Sequence, residues 1–296
     1  MGKDAIKRVL IVGGGTMGQQ VAAHCAMHGL SVRVFDVDPH ALEKAAAIKE
    51  TAGAVFKSKY ADRIKHFVAG LRIETNADRA AADVQLLVEA VPEKPKLKRQ
   101  VLSQFNRLCP ADAIFATNTS TLLPSALAEA SGRPAQFAAL HFSMERELAE
   151  IMPHPGTSPD TVRRLEAFAQ QIDHLPIICR KEVPGCVLNT LLMSFNAAAL
   201  QLAADGVATF EDIDRAWMKT MDVPTGPFGI LDGVGLDTAW NITEFRAKVN
   251  KDPESQKIAD YLKRYVEQGR LGIKSGVGFY SYPNPTFSHE DFLSGS

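Results

Sequence analysis

The feature that most constrains the fold is a glycine-rich turn between a strand-like run and a helix-like run near the start of the chain. Residues 8–14 read RVLIVGG, a β-rich apolar run, and residues 16–28 read TMGQQVAAHCAMH, a helical pattern that Gly29 ends. A second apolar run, SVRVFDV at 31–37, follows at once. Strand, turn, helix and strand within about 30 residues predict a βαβ unit, whose crossover makes the two strands parallel neighbours.

The turn itself has the spacing G-x-G-x-x-G at Gly13, Gly15 and Gly18. The first glycine permits a tight turn, the second lets the backbone approach a pyrophosphate, and the third allows the helix to pack closely. Exposed amides and the positive end of the helix dipole then hold the phosphates. We therefore predict a dinucleotide-binding turn, with Thr16 and Met17 among its contacts.

Asp36 ends the second apolar run, 18 residues after Gly18. A carboxylate at this position accepts hydrogen bonds from the adenosine ribose hydroxyls and repels a 2′-phosphate, so NAD is favoured over NADP. The alternative interpretation is a glycine-rich surface turn with a solvated aspartate. FAD uses a similar turn, but the chain shows no long flavin-covering domain.

Composition excludes several classes of protein. The 296 residues are 46% hydrophobic and 23% charged, enough for a sizeable core and about two domains. A net charge of −1, without basic runs interleaved with aromatic residues, argues against a nucleic-acid partner. No segment approaches the roughly 18 apolar residues of a membrane helix. The start of the chain is charged and the four cysteines form no CxxC pair, so we expect a cytoplasmic protein.

The pattern of apolar residues divides the chain into a β-rich region and a helical region. Further β-rich runs lie at 84–91, 113–120, 136–142 and 175–180. Near-continuous apolar strands are typical of a sheet that is buried on both faces. After Arg180 the pattern becomes helical, and Pro184 and Gly185 suit an interdomain joint. We predict a mostly parallel α/β domain over residues 1–183 and a helical domain over residues 184–296.

Polar residues follow the later strands of the predicted sheet, at Glu93, Asn118, Ser120 and His141. Ligands bind at the carboxyl edge of such sheets. Oxidation of an alcohol by hydride transfer needs a base, and a histidine suits that role near neutral pH. Glu150 precedes a short apolar run that could return beside His141 and orient its ring. The alternative is a core histidine and an unrelated surface glutamate.

Several motifs in order along the chain resemble the 3-hydroxyacyl-CoA dehydrogenase family. They are the glycine-rich start, VEAVPEKPKLKRQ at 88–100, IFATNTSTL at 114–122, LHF at 140–142, PGCVLNTLL at 184–192, GPFGILDGVGLDTA at 226–239 and GVGFYSY at 276–282. The resemblance spans essentially the whole chain.

This resemblance implies a Rossmann-like domain followed by an all-helical domain that forms a homodimer. It also implies NAD-dependent interconversion of L-3-hydroxyacyl-CoA and 3-oxoacyl-CoA, as in fatty acid metabolism. By motif position, His141 is the implied base and Glu150 its partner, while Ser120 and Asn189 are implied to hold the reacting oxygen. The implied cofactor contacts near the sheet edge and in the helical domain are Glu93, Lys98, Asn118, Ser120 and Lys274.

The chain departs from the family between His141 and Glu150, where its segment is shorter than usual. Met144 stands where the family has an asparagine that contacts the cofactor. Glu145 and Glu147 are nearer to the histidine in sequence and are alternative partners for it.

The sequence leaves open whether the substrate carries coenzyme A. Lys57, Lys59, Arg63 and Lys65 could meet the phosphates of coenzyme A, but the region that carries them is short for a member that oxidises fatty acids, and a solvated helical face is the alternative. Free 3-hydroxy acids or diketo esters are therefore a second possible substrate class. A third hypothesis, of another class, is a dinucleotide-binding protein without catalysis.

A metal is not predicted. His24 and His28 lie four residues apart on the first helix, with Cys25 beside His24, but the general-base glutamate of a zinc protease is missing from this spacing. The cysteines near the domain joint, Cys179 and Cys186, are expected to be buried free thiols.

Overall fold

The computed structural model describes residues 5–43, 63, 66 and 69–294, apart from the side chain of Glu145. The chain divides into two compact units, Met1–Leu188 and Asn189–Ser296. The candidate phosphate-binding residues Lys57, Lys59 and Lys65 lie outside the described residues.

The first unit is built on one eight-stranded sheet in the order β3-β2-β1-β4-β5-β6-β7-β8. All neighbouring strands in it are parallel except β6 and β7, which confirms the predicted mostly parallel sheet. The strands are Arg8–Val12 (β1), Ser31–Phe35 (β2), Leu71–Glu74 (β3), Leu86–Glu89 (β4), Ile114–Thr117 (β5), Phe137–Ser143 (β6), Leu148–Pro153 (β7) and Leu175–Ile178 (β8).

Helices cover both faces of this sheet, and those with both ends among the described residues are numbered here. In the first unit they are Thr16–Met27 (α1), Ala77–Ala81 (α2), Pro95–Asn106 (α3), Ser125–Ala128 (α4) and Pro159–Gln171 (α5). One core includes Val21 of α1 and Phe168 of α5, and the other includes Leu102 and Phe105 of α3. Burial of these apolar side chains on two faces stabilises the unit.

The last strand departs from the prediction of a sheet buried on both faces. Leu175 and Ile178 of β8 are 61% and 41% exposed. Among the described strands, β8 lies at the edge of the sheet and pairs with β7 alone. An edge strand can keep apolar side chains at the surface of its own unit, and the sequence pattern alone does not distinguish it from a central strand.

The second unit is helical, as predicted. Its helices are Leu188–Ala204 (α6), Phe210–Met221 (α7), Pro227–Val234 (α8), Leu236–Asn250 (α9) and Pro253–Val266 (α10). Its core brings together aromatic side chains such as Phe228 and Phe279, whose ring centroids lie 4.7 Å apart. Across the described helices of both units, we find none whose length and hydropathy would allow it to cross a membrane.

Two buried carboxylates tie the later segments of the second unit together. Asp214 on α7 accepts hydrogen bonds from the amides of Phe228 and Gly229 at the start of α8 and from the hydroxyl of Tyr280. Asp232 on α8 accepts hydrogen bonds from the Phe279 and Tyr280 amides and from the Tyr282 hydroxyl. Each carboxylate therefore satisfies several buried donors at once.

Candidate active site

The glycine turn joins β1 to α1. Gly13 has a φ of +116°, and a Cβ added there would lie 2.6 Å from the carbonyl oxygen of Ala90. A Cβ at Gly18 would lie 1.9 Å from the carbonyl oxygen of Gly13, so helix and turn pack too closely for a side chain. At Gly15 an added Cβ would meet no described atom within 4 Å, which leaves the backbone there open to a phosphate group.

Helix α1 begins immediately after this turn, at Thr16, with Met17 as its second residue. The first amides of a helix have no partner within the helix, so the amides at this end are available to an anion beside Gly15. The two crowded glycines and the open one correspond to the three roles that a pyrophosphate-binding turn requires. The turn therefore fits a dinucleotide.

Asp36 lies directly beyond β2 and next to the turn. Its Oδ2 accepts a hydrogen bond of 2.6 Å from the amide of Gly14, and its Oδ1 accepts one of 2.9 Å from the amide of Asp38. The amide of Gly13 donates to the carbonyl oxygen of Phe35 at 2.8 Å, which holds the turn against the end of β2. The structure thus brings the predicted ribose carboxylate and the predicted phosphate turn together.

His141 and Glu150 face each other across neighbouring strands. They are directly paired in the antiparallel register of β6 and β7, and His141 Nδ1 lies 3.0 Å from Glu150 Oε2. Glu147, in the tight turn between these strands, adopts a left-handed conformation with a φ of +49°. Although the connection is short, it places Glu150, the expected partner, beside the imidazole.

The second oxygen of Glu150 is also bound. Oε1 accepts hydrogen bonds from the amides of Val187 and Leu188, at 2.7 and 2.8 Å. Burial raises the pKa of this carboxyl, but the hydrogen bonds from His141 and from the two amides outweigh it and bring the pKa below its usual value. Glu150 is therefore ionised, and a buried carboxylate beside an imidazole stabilises the ring when the ring gains a proton.

Two residues after β5 connect this pair to the rest of the sheet edge. Asn118 accepts a hydrogen bond from the amide of Phe142 at 3.1 Å and donates its own amide to the Glu89 carbonyl at 2.7 Å. The carbonyl of Ser120 accepts a hydrogen bond from the amide of Gly185 at 3.0 Å. Asn118 therefore holds the strand position next to His141, and Ser120 is held against the segment that precedes Val187.

Lys98 is completely buried, and it forms ion pairs with two carboxylates at the edge of the sheet. Its Nζ lies 2.9 Å from Glu89 Oε1 and 3.2 Å from Glu93 Oε2. Burial raises the pKa of Glu89, with Lys98 and the Thr117 hydroxyl opposing that effect. Burial also raises the pKa of Glu93, but hydrogen bonds from Thr119 and the charge of Lys98 outweigh it and leave that pKa low. Glu93, which is partly exposed, is the member of this group that can meet a ligand.

Two of the predicted site residues lie in the second unit. Asn189 is the second residue of α6, and Lys274 binds both carboxylate oxygens of Asp237, at 2.5 and 2.6 Å. Hydrogen bonding from Lys274 lowers the pKa of Asp237. The roles of Asn189 and Lys274 at the site stay predictions.

Sequence reasoning missed two members of the site. Glu89 lies inside an apolar run, and no local pattern marks it as the partner of Lys98. Cys186 was expected to be an ordinary buried thiol, but its sulfur lies close to His141 and Glu150. The sequence separation between Cys186 and this pair conceals their proximity. The only available signal was its position in the PGC segment beside the strand ends.

Together, the parallel sheet, the open glycine turn with its acidic neighbour, and an imidazole–carboxylate pair on the same sheet are typical of a dinucleotide-dependent oxidoreductase. Comparison with known families agrees. Residues 8–183 match the NAD-binding domain of 3-hydroxyacyl-CoA dehydrogenase, and residues 185–282 match its C-terminal domain. The chain belongs to the 3-hydroxyacyl-CoA dehydrogenase family, and its cofactor is NAD.

Individual relatives extend over almost the whole chain. The human mitochondrial hydroxyacyl-coenzyme A dehydrogenase is 32% identical over 291 residues, which are 95% of this chain and 92% of the relative. A probable 3-hydroxybutyryl-CoA dehydrogenase of Deinococcus radiodurans is 33% identical over 277 residues, 92% of this chain and 99% of the relative.

Two solved structures show the same fold. A diketoreductase, described by its substrate-directed dual catalysis of dicarbonyl compounds, is 38% identical with a TM-score of 0.87 and covers 94% of this chain and 99% of its own. The (S)-3-hydroxybutyryl-CoA dehydrogenase of Ralstonia eutropha is 30% identical with a TM-score of 0.81 and covers 95% of this chain and 100% of its own.

Proposed function

We propose that this protein interconverts L-3-hydroxyacyl-CoA and 3-oxoacyl-CoA, with His141 as the catalytic base and Glu150 as its partner. The observation that carries the proposal is the 3.0 Å contact between His141 Nδ1 and Glu150 Oε2 within the β6–β7 ladder. The names of the human and Deinococcus relatives support the thioester class.

The hydrogen bond to Glu150 determines which nitrogen of His141 does the work. Because Nδ1 is engaged by the carboxylate, Nε2 is the atom left to take the proton of a 3-hydroxyl group. NAD, when bound, accepts the hydride that leaves C3 of the substrate. His141 then carries the proton, and ionised Glu150 stabilises the imidazolium. In the reverse direction the imidazolium returns the proton to the new alkoxide.

Other residues position the reacting groups. Ser120 and Asn189 are proposed to hold the substrate oxygen, so that the hydroxyl proton would be directed at Nε2 of His141. The glycine turn and Asp36 are proposed to hold the pyrophosphate and the ribose. Glu93, set by Lys98, and Lys274 are proposed as further cofactor contacts.

The direct test is NADH oxidation with acetoacetyl-CoA by the intact protein and by His141→Ala. We expect turnover in the intact protein and its loss in the variant. His40→Ala is a matched control, because His40 is exposed and bonds only to the neighbouring Asp38 and Glu43 in the hydrogen bonds described for it. Tight NADH binding without turnover of any 3-oxo compound would instead support a non-catalytic dinucleotide-binding protein.

A second candidate function is the reduction of dicarbonyl compounds or free 3-oxo acids that lack coenzyme A. The 38% identity and TM-score of 0.87 to a diketoreductase favour it. The comparison to make is the rate with acetoacetyl-CoA against the rates with acetoacetate and its ethyl ester. A preference of about a thousandfold for either class, well beyond what one or two apolar contacts supply, decides between them.

We also propose that the second unit forms a homodimer. Leu191 on α6 and Phe245 and Val249 on α9 are between 62% and 68% exposed, which is high for large apolar side chains. Apolar surfaces of this kind are commonly covered in a two-fold assembly. Light scattering should give twice the chain mass, and Phe245→Glu should shift it toward the single chain. A single-chain mass for the intact protein at high concentration would contradict the proposal.

A further inference from the structure

The His141–Glu150 pair has a third neighbour with a metal-binding side chain. One ring nitrogen of His141, one carboxylate oxygen of Glu150 and the sulfur of Cys186 all lie within 4.8 Å of one another. Glu150 and Cys186 have relative exposures of 0% and 1%, whereas His141 is partly exposed. The three atoms therefore lie together at a largely buried position.

Backbone contacts on both sides hold Cys186 in this place. Gly185 donates its amide to the Ser120 carbonyl, and Val187 donates its amide to Glu150 itself. Cys186 adopts a φ of +51°, an uncommon conformation for a residue with a side chain. The thiol is thus positioned by the same segment that binds the carboxylate.

The donor set suits a cation of the zinc class. A thiolate, a carboxylate and a neutral imidazole balance a charge of two, and all three are common zinc ligands. With bonds of about 2.0 Å to nitrogen and oxygen and about 2.3 Å to sulfur, the ligand atoms of a tetrahedral site lie about 3.3–3.6 Å apart. The imidazole nitrogen and the carboxylate oxygen are already 3.0 Å apart, so the sulfur needs to approach by about 1.3 Å at most.

We propose that His141, Glu150 and Cys186 form a binding site for a thiophilic divalent cation such as Zn²⁺, with the fourth coordination position open. Burial raises the pKa of the Cys186 thiol to about 12, so binding displaces a proton from the sulfur. The cation takes the imidazole and the carboxylate that the proposed proton transfer uses. A protein with the cation bound therefore cannot catalyse the proposed reaction. This inhibition rests on the proposed function, whereas binding of the cation does not.

The binding is tested with Co²⁺ as the probe, because a cobalt–thiolate bond gives a charge-transfer absorption that needs no activity measurement. We expect the intact protein to show this band on titration and Zn²⁺ to abolish it by competition. Cys186→Ala should lose the band, and because alanine keeps the Cβ, this substitution adds no backbone strain beyond that already present at the cysteine. Absence of the band in the folded intact protein would overturn the proposal.

Cys179 provides the matched control. Its thiol is a hydrogen-bonded neighbour of Cys186 and is also buried, but it is outside the three-atom cluster. Cys179→Ala should keep the cobalt band. A band that survives in Cys186→Ala and disappears in Cys179→Ala would overturn the assignment of the ligand.

The link to catalysis is a separate measurement. Zn²⁺ should inhibit turnover of the intact protein, and Cys186→Ala should need about 100-fold more Zn²⁺ to halve its own metal-free rate, since loss of one ligand is at least as costly as loss of its supporting contacts. A cobalt band without inhibition by Zn²⁺ would support the metal site and contradict the role of His141 as the catalytic base. Equal inhibition of both proteins by Zn²⁺ would contradict the site.

Discussion

Glu150 lies directly opposite His141 in the β6–β7 ladder, so the backbone pairing of two strands sets their 3.0 Å contact. Two amides at Val187 and Leu188 bind the other oxygen of the same carboxylate. The carboxylate is held from three directions and has little freedom to leave the imidazole. The shortened connection is therefore compatible with the pair, because the strand register fixes it rather than the loop.

The first prediction concerns the imidazole. His141→Ala should reduce turnover by about 10²–10⁴-fold, the usual contribution of a general base, while the affinity for NADH changes little. The rate with a 3-oxo substrate and the dissociation constant from NADH fluorescence check the two parts separately. Turnover near that of the intact protein would remove His141 from the mechanism.

The second prediction concerns Asp36. Asp36→Ala should weaken NADH binding by about 10–100-fold, since hydrogen bonds to a charged group are lost, and should reduce the discrimination against NADPH because the repulsive charge is gone. Dissociation constants for both cofactors measure this. Asp38→Ala, a change at an exposed neighbour, is the control. An unchanged ratio of the two constants would place the adenosine elsewhere.

The third prediction concerns the buried ion pair of Lys98 and Glu89. Lys98→Met should lower the free energy of unfolding by about 3–5 kcal/mol, because it leaves a buried carboxylate without its cation. Combining it with Glu89→Gln should recover much of the loss. Denaturant unfolding gives these values, with Lys96→Met on the exposed side of α3 as the control. Equal stability of the double and single variants would contradict the pairing.

The fourth prediction concerns pH and the second unit. Burial raises the pKa of Asp214 from 3.8 to about 6, so the folded state holds a proton that the unfolded chain has released. This contribution stabilises the fold at low pH and is lost as the pH rises from about 4 to about 6. Asp214→Asn should flatten that slope in unfolding experiments, whereas Asp212→Asn, at an exposed carboxylate, should not. Parallel pH curves for Asp214→Asn and the intact protein would contradict the assignment.

How far the sequence predicts this fold depends on whether the information is local. The unit β1–α1–β2 was predictable because three glycines and two apolar runs are adjacent in the chain. Strand β3 was missed because its sequence, LRIE, alternates charged and apolar residues and resembles a surface segment. Strand β7 was recognised only as a short apolar run, since buried Glu150 interrupts it.

The same distinction applies to the candidate site. His141 lies in β6, which its apolar pattern predicts, and the need for a base in alcohol oxidation identifies this histidine from the sequence alone. The amides of Val187 and Leu188 and the thiol of Cys186 approach Glu150 from a distant segment, so no spacing in the sequence predicts these contacts. Tertiary packing, which local patterns do not encode, completes the site.

The decisive measurement uses NADH deuterated at both C4 positions, with acetoacetyl-CoA, acetoacetate and its ethyl ester as substrates. The intact protein should transfer deuterium to C3 of a 3-hydroxy product, and His141→Ala should transfer it far more slowly although it still binds the cofactor. If the intact protein binds NADH but places no deuterium in any of the three compounds, or if His141→Ala labels them at the same rate, the proposed dehydrogenase mechanism is wrong.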